Sequence, residues 1–147
     1  MTETKQEEFR RLEDCTAELM IAFEITAPPV PIETMLQNPL PNMWDQVDAT
    51  QLSGTFLSIK TQYSPRMSLA RLLTRHVAAS PWGKEHNLTY MLKDDELLRV
   101  FARMLLMPSP MVKNLTSGAR NPTTMSMHFE VPEDDARLRL QELALYS

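Results

Sequence analysis

The stretch Arg66-Met67-Ser68-Leu69-Ala70-Arg71-Leu72-Leu73-Thr74-Arg75-His76-Val77-Ala78-Ala79 decides how the chain is read. Leu69, Leu72, Leu73, His76 and Val77 recur at the spacing of one continuous helical face, and no Gly or Pro interrupts them, so the segment is expected to be a helix. A second helix is expected from Asp94 to Met107, where Leu97, Leu98, Phe101 and Leu105 form the stripe and Pro108 stops it. Asp94, Asp95 and Glu96 place negative charge at its amino end, where the free N–H groups and the helix dipole favour it.

Working outward, Thr4-Lys5-Gln6-Glu7 has the form of a capping box ahead of Phe9, Leu12, Thr16, Leu19 and Phe23. A first helix is therefore expected over about residues 5–25. Pro28, Pro29 and Pro31 break it, Ile32–Leu36 can restart a short helix, and Asn38-Pro39-Leu40-Pro41 breaks the chain again. From Val47 to Lys60 the character changes: Thr55-Phe56-Leu57-Ser58-Ile59 follows a Ser53-Gly54 turn signal, which predicts strands of a small antiparallel sheet. Tyr63-Ser64-Pro65 leads into the central helix, with Ser64 as the candidate cap. Ser80-Pro81-Trp82-Gly83 is a turn, with Trp82 expected as a lid over the core, and residues 84–93 carry no clear signal. Near the carboxyl end, Met125–Val131 and then Ala136, Arg139, Leu140, Leu143 and Leu145 read as helix, turn, helix.

The two central helices resemble the core of the ImmA/IrrE-type zinc metallopeptidases. That family carries Arg-x-Phe-Thr-Leu-Ala-His-Glu-Leu-Gly-His on one helix and an acidic residue followed by Phe-Ala-Ala-x-Leu-Leu-Met-Pro on the next. This chain offers Arg66 through Arg75 for the first and Asp95 through Phe101-Ala102-Arg103-Met104-Leu105-Leu106-Met107-Pro108 for the second. The Pro-rich break and the carboxyl-terminal helix pair are also similar, so the resemblance covers about residues 17–146. It implies an α+β fold, mainly helical with a small antiparallel sheet. The expectation is a single domain: a zincin-like core over residues 1–112 and a helix-turn-helix-like segment, 113–147, packed on it.

The resemblance implies a lost site. Two His at i and i+4 and an intervening Glu would supply two zinc ligands and a general base. Those positions hold Arg71, Leu72 and Arg75. Arginine has no lone pair to give a cation and stays protonated, and leucine moves no proton. Only Asp95, near the family's third, carboxylate ligand, keeps a suitable side chain, with Glu96 beside it. The expectation is a non-catalytic pseudo-peptidase, with no cofactor and no metal. It would bind a protein partner, such as a helix-turn-helix repressor, through the former substrate groove between Thr55–Lys60 and Arg66–Ala79. Arg71, Leu72, Arg75, Asp95 and Glu96 are the candidate partner or anion site, and an ion pair of Arg71 or Arg75 with Asp95 or Glu96 is expected there. The alternative is a hydrolase or metal protein using a relocated site. His76, His86 and His128 are available for that, but they lie on three elements without ligand spacing.

Composition sets the remaining bounds. A chain of 147 residues can bury roughly two thirds of its unfolded surface without metal or disulfide help. Its net charge of −4 disfavours nucleic acid. From Val112 onward four cations face five carboxylates, three of which, Glu133, Asp134 and Asp135, open the last helix and would repel a DNA backbone. The single Cys15, the charged amino end and the lack of a long apolar run give the expectation of a cytoplasmic protein with no membrane contact. Eleven Met are many for this length, and Met104, Met107 and Met111 are expected in the core. Homo-oligomerisation is left open.

Overall fold

The computed structural model describes residues 3–47 and 63–147. Every regular element among them is a helix. They are α1 (Lys5–Ala22), α2 (Ile32–Gln37), α3 (Ser64–Ala79), α4 (Pro81–Glu85), α5 (Asp95–Leu106), α6 (Ser109–Lys113), α7 (Pro122–Phe129) and α8 (Glu133–Tyr146), with short 3-10 turns at Thr89–Lys93 and Ser117–Ala119.

This corrects the α+β expectation. Among the described residues there is no strand and no antiparallel sheet, and the protein is helical. The zincin-like arrangement, a sheet beside the site helix, is not built by these residues. The segment that prompted it, Thr55–Lys60, lies outside the described residues. Val47, its described neighbour, donates its N–H to Leu36 O, the end of α2, not to a strand partner. Elsewhere the chain is rich in Leu, Met and Ala at helical spacing, and such residues bury a helical stripe without needing a pleated face.

The chain divides into two compact units. The first comprises residues 1–30 and 103–147, the second residues 31–102, and the division falls within α5. In the first, α1 is started by Thr4, whose Oγ1 accepts from Glu7 N at 3.1 Å, and it buries Phe9, Leu12, Leu19 and Met20. Helices α7 and α8 pack closely together, and α8 also packs on α1. Asn121 caps α7, and Glu130 closes it in the left-handed conformation (φ 58°). Pro132 then precedes α8 without a side-chain cap. Met104, Met107 and Met111 are all buried.

In the second unit α3 packs against α2, α4 and the 89–93 turn. Tyr63, left-handed at φ 68°, is the residue before α3, so Ser64 is its first helical residue and not its cap. Asp94 caps α5, accepting from Leu97 N at 3.0 Å. Residues 84–93, unassigned from sequence, form the end of α4 and the 3-10 turn.

The buried face of α3 is turned relative to the expected stripe. Leu69, Leu73 and Val77 are buried as expected, but Leu72 and His76 are only half-buried. The opposite shoulder, Ala70, Thr74 and Ala78, is fully enclosed. Thr74 meets burial by donating its hydroxyl to Arg71 O at 2.6 Å.

Candidate functional site

The turn of α3 fixes where the candidate residues go. With residues 70, 74 and 78 inward, residues 71 and 75 face outward, and both arginines are exposed. Arg75 reaches α5 and donates from Nη2 to Asp95 Oδ1 at 2.6 Å. The expected link between the two central helices is present, then, and it lies on the surface, with 50% of the Arg75 side chain and 74% of the Asp95 side chain exposed. In that setting a pair is worth under about 1 kcal/mol. Glu96 pairs instead with Arg99 on its own helix, at 3.8 Å. Arg71 has no ion pair or hydrogen-bond partner for its guanidinium among the described residues. Leu72 sits half-buried on the flank of this face. The structure thus brings Arg75 to Asp95, and leaves Glu96 with a different partner.

His76 borders the same helix on the inner side. Burial lowers its pKa below the ordinary imidazole value, with the Asp45 carboxylate acting in the opposite direction. His86 stacks on Trp82 with ring centroids 3.8 Å apart and donates Nδ1–H to Trp82 O at 2.7 Å. Trp82 is half-buried, and its backbone N–H donates to Asn42 O at 2.7 Å. His128 is exposed on α7 and meets Phe129 edge-on. Among the described residues no three His, Cys, Asp or Glu side chains gather in a way that could hold a metal ion.

Charge is concentrated elsewhere, at a place the sequence did not single out. In the first unit Arg139 of α8 is completely buried. Its Nη2 binds both carboxylate oxygens of Glu13 on α1, at 2.8 and 2.9 Å, and its Nε donates to Met107 O at 3.0 Å. The guanidinium lies 5.8 Å from the Phe9 ring centroid, and its Nη1 has no hydrogen-bond partner among the described residues. Beside it Arg103 of α5, also buried, binds Glu142 through Nη2 at 2.6 Å and approaches Asp135 at 3.7 Å. Burial raises the Glu13 pKa, against the pull of Arg139 and Lys113. Burial likewise lowers that of Arg139, and it pushes the Cys15 thiol up to about 11, which leaves Cys15 an unreactive core group. The only sequence signal for this network was an arginine, Arg139, on the apolar stripe of α8.

No family model, no curated protein and no solved structure matches the chain. Among the described residues no helix is long and apolar enough to cross a membrane.

Proposed function

We propose that the protein is a non-catalytic interaction module, a relative of the ImmA/IrrE-type peptidases without their chemistry. Its contact surface is the outward face of α3, centred on Arg71 and bounded by Leu72 and Arg75. The observation that carries this reading is the exposed guanidinium of Arg71, unpaired among the described residues and one turn from Arg75, whose own partner Asp95 occupies part of its donor set. Five N–H donors in a planar fork suit a carboxylate or phosphate. Exposed cations with donors to spare favour an acidic partner segment. The residue types at positions 71, 72 and 75 support the absence of catalysis, since none can bind zinc or move a proton.

The surface now rests on the helix alone, because the strand that would have formed the other wall of a substrate groove lies outside the described residues. The resemblance adds a helix-turn-helix repressor as a partner class. Affinity purification with the wild type and with an Arg71→Glu, Arg75→Glu variant tests the reading, after circular dichroism has established that the variant folds. The expected result is a partner lost from the variant. A partner kept equally by both proteins would place the contact elsewhere, and peptide cleavage by the wild type would overturn the non-enzymatic reading.

A further inference from the structure

The link between α7 and α8 is short and holds an unfavourable backbone state. It consists of Glu130, Val131 and Pro132. Glu130 is left-handed at φ 58°, a helix-ending position where a Cβ crowds the backbone and glycine fits best. Pro132 disfavours helix at the residue before it, so α7 and α8 do not relax into one continuous rod. Val131 closes the link, donating its N–H to Ser126 O at 3.1 Å and accepting from Ser126 Oγ at 2.5 Å.

Helix α8 is seated by directional contacts more than by apolar area. Of its residues only Ala136 and Arg139 are buried, while Leu138 and Leu145 stay exposed. Arg139 binds Glu13 of α1 and Met107 O, Glu142 binds Arg103 of α5, and the Tyr146 ring meets Phe9 of α1 at 5.2 Å. Only a helix with the same residues in the same register reproduces that set. Once turned out, α8 has little reach over its own chain, since three extended residues span about 10 Å. The α8 of a second copy carries every one of the groups required.

We propose that α8 is an exchangeable arm: two copies of the chain trade it, each seating the other's α8 on its own α1 and α7. The Arg139–Glu13 and Arg103–Glu142 pairs survive the trade, now formed between chains, and no further surface patch is called on. The trade frees Glu130 from the left-handed state in both copies and gives up the Val131–Ser126 hydrogen bonds. These effects oppose each other, so the monomer is the resting form in dilute solution and the exchanged dimer gains with concentration. The inference does not depend on the α3 surface.

Slow refolding from urea over a series of protein concentrations, followed by size exclusion with light scattering, measures the exchange. The expected result is a dimer whose yield rises with concentration and which persists after dilution, because return to monomer requires α8 to undock. Mixed dimers of isotope-labelled and unlabelled wild type should show nuclear Overhauser contacts between Phe9 of one copy and Tyr146 of the other. Two variants act on the closed link in opposite senses. Glu130→Gly eases it and should raise the dimer's dissociation constant by roughly tenfold or more, both links of a dimer contributing. Ser126→Ala removes one of its hydrogen bonds and should lower that constant. Circular dichroism of the monomer fractions checks that both variants fold. A chain that stays monomeric throughout the series overturns the inference. A dimer in which Phe9 and Tyr146 meet only within one copy overturns it too, as does a dimer yield that either variant leaves unchanged.

Discussion

Arg139 is the largest fully buried side chain among the described residues. Its guanidinium is buried, bound to Glu13 and to Met107 O, and leaves Nη1 without a hydrogen-bond partner among the described residues. Glu13→Ala should destabilise the protein by about 3–5 kcal/mol in urea unfolding, because it strands a buried cation. Burial outweighs the ion pair for both groups, as the raised Glu13 and lowered Arg139 pKa values indicate. The double replacement Glu13→Leu, Arg139→Met should therefore recover most of that loss. His76 contributes a pH dependence in the second unit. Its pKa is lowered by burial, so the folded state binds its proton less readily than the unfolded chain does. Its contribution is present above the unfolded value of about 6.5 and is lost as pH falls through the folded value. The melting temperature of the wild type should accordingly fall further between neutral pH and pH 5 than that of a His76→Gln variant, measured side by side.

Helix α4 shows how a short element is held by its ends. Ser80 accepts from Gly83 N at 3.0 Å and donates to Val77 O at 2.7 Å, which ties the start of α4 to the end of α3. Gly83 is required by space. A Cβ there would lie 2.0 Å from Val77 O and 2.7 Å from Ala78 O, both backbone atoms that cannot rotate away. Gly83→Ala should cost at least about 2 kcal/mol by forcing α3 and α4 apart. A Cβ on Gly118 meets nothing within 4 Å, so Gly118→Ala should stay within about 0.5 kcal/mol of wild type. Thermal melts of the two variants give the contrast. Helix α5 differs in kind: its amino end exposes Asp95, Glu96 and Arg99, whereas residues 101–108 are buried on every side. Arg103 is accepted in that buried stretch because Glu142 answers it in two hydrogen bonds from Nε and one from Nη2.

For the whole molecule, the proposed loss of the zinc ligands has a direct consequence for stability. A structural or catalytic zinc contributes to folding free energy, and chelation then unfolds or destabilises the protein. With Arg71 and Arg75 at the positions that the proposed kinship would give to zinc ligands, the purified protein should contain no stoichiometric zinc, and dialysis against a chelator should leave its melting temperature unchanged. Elemental analysis that found about one zinc per chain, lost together with stability, would contradict this. Apolar packing carries the folded state instead: Leu12, Leu19, Phe101 and Phe129 are each completely or almost completely removed from water.

The sequence by itself placed α1, α2, α3, α5 and the carboxyl-terminal helix pair, but it read Ser80–Gly83 as a turn and left residues 84–93 unassigned, where the structure has α4 and a 3-10 turn. Thr4, Asp94 and Pro108 mark helix ends through local chemistry, and the Met104, Met107 and Met111 core follows from position on an apolar run. It also determined that residues 71, 72 and 75 cannot do zinc chemistry, because that depends on side-chain type alone. The strand-like composition around Thr55–Ile59 suggested a sheet because β-propensity records compatibility with a pleated surface; that segment lies outside the described residues, and among those described there is no strand. Only the tertiary structure decided which shoulder of α3 would be covered. Periodicity gives the phase of an apolar stripe to within about one residue's rotation, and in the folded protein the buried side takes in the small residues Ala70, Thr74 and Ala78. Only the tertiary structure, too, could match Arg139 with Glu13, 126 residues away, and Arg103 with Glu142, 39 residues away. A buried charge is tolerated through the partner that the fold delivers, and no local pattern in the chain names that partner.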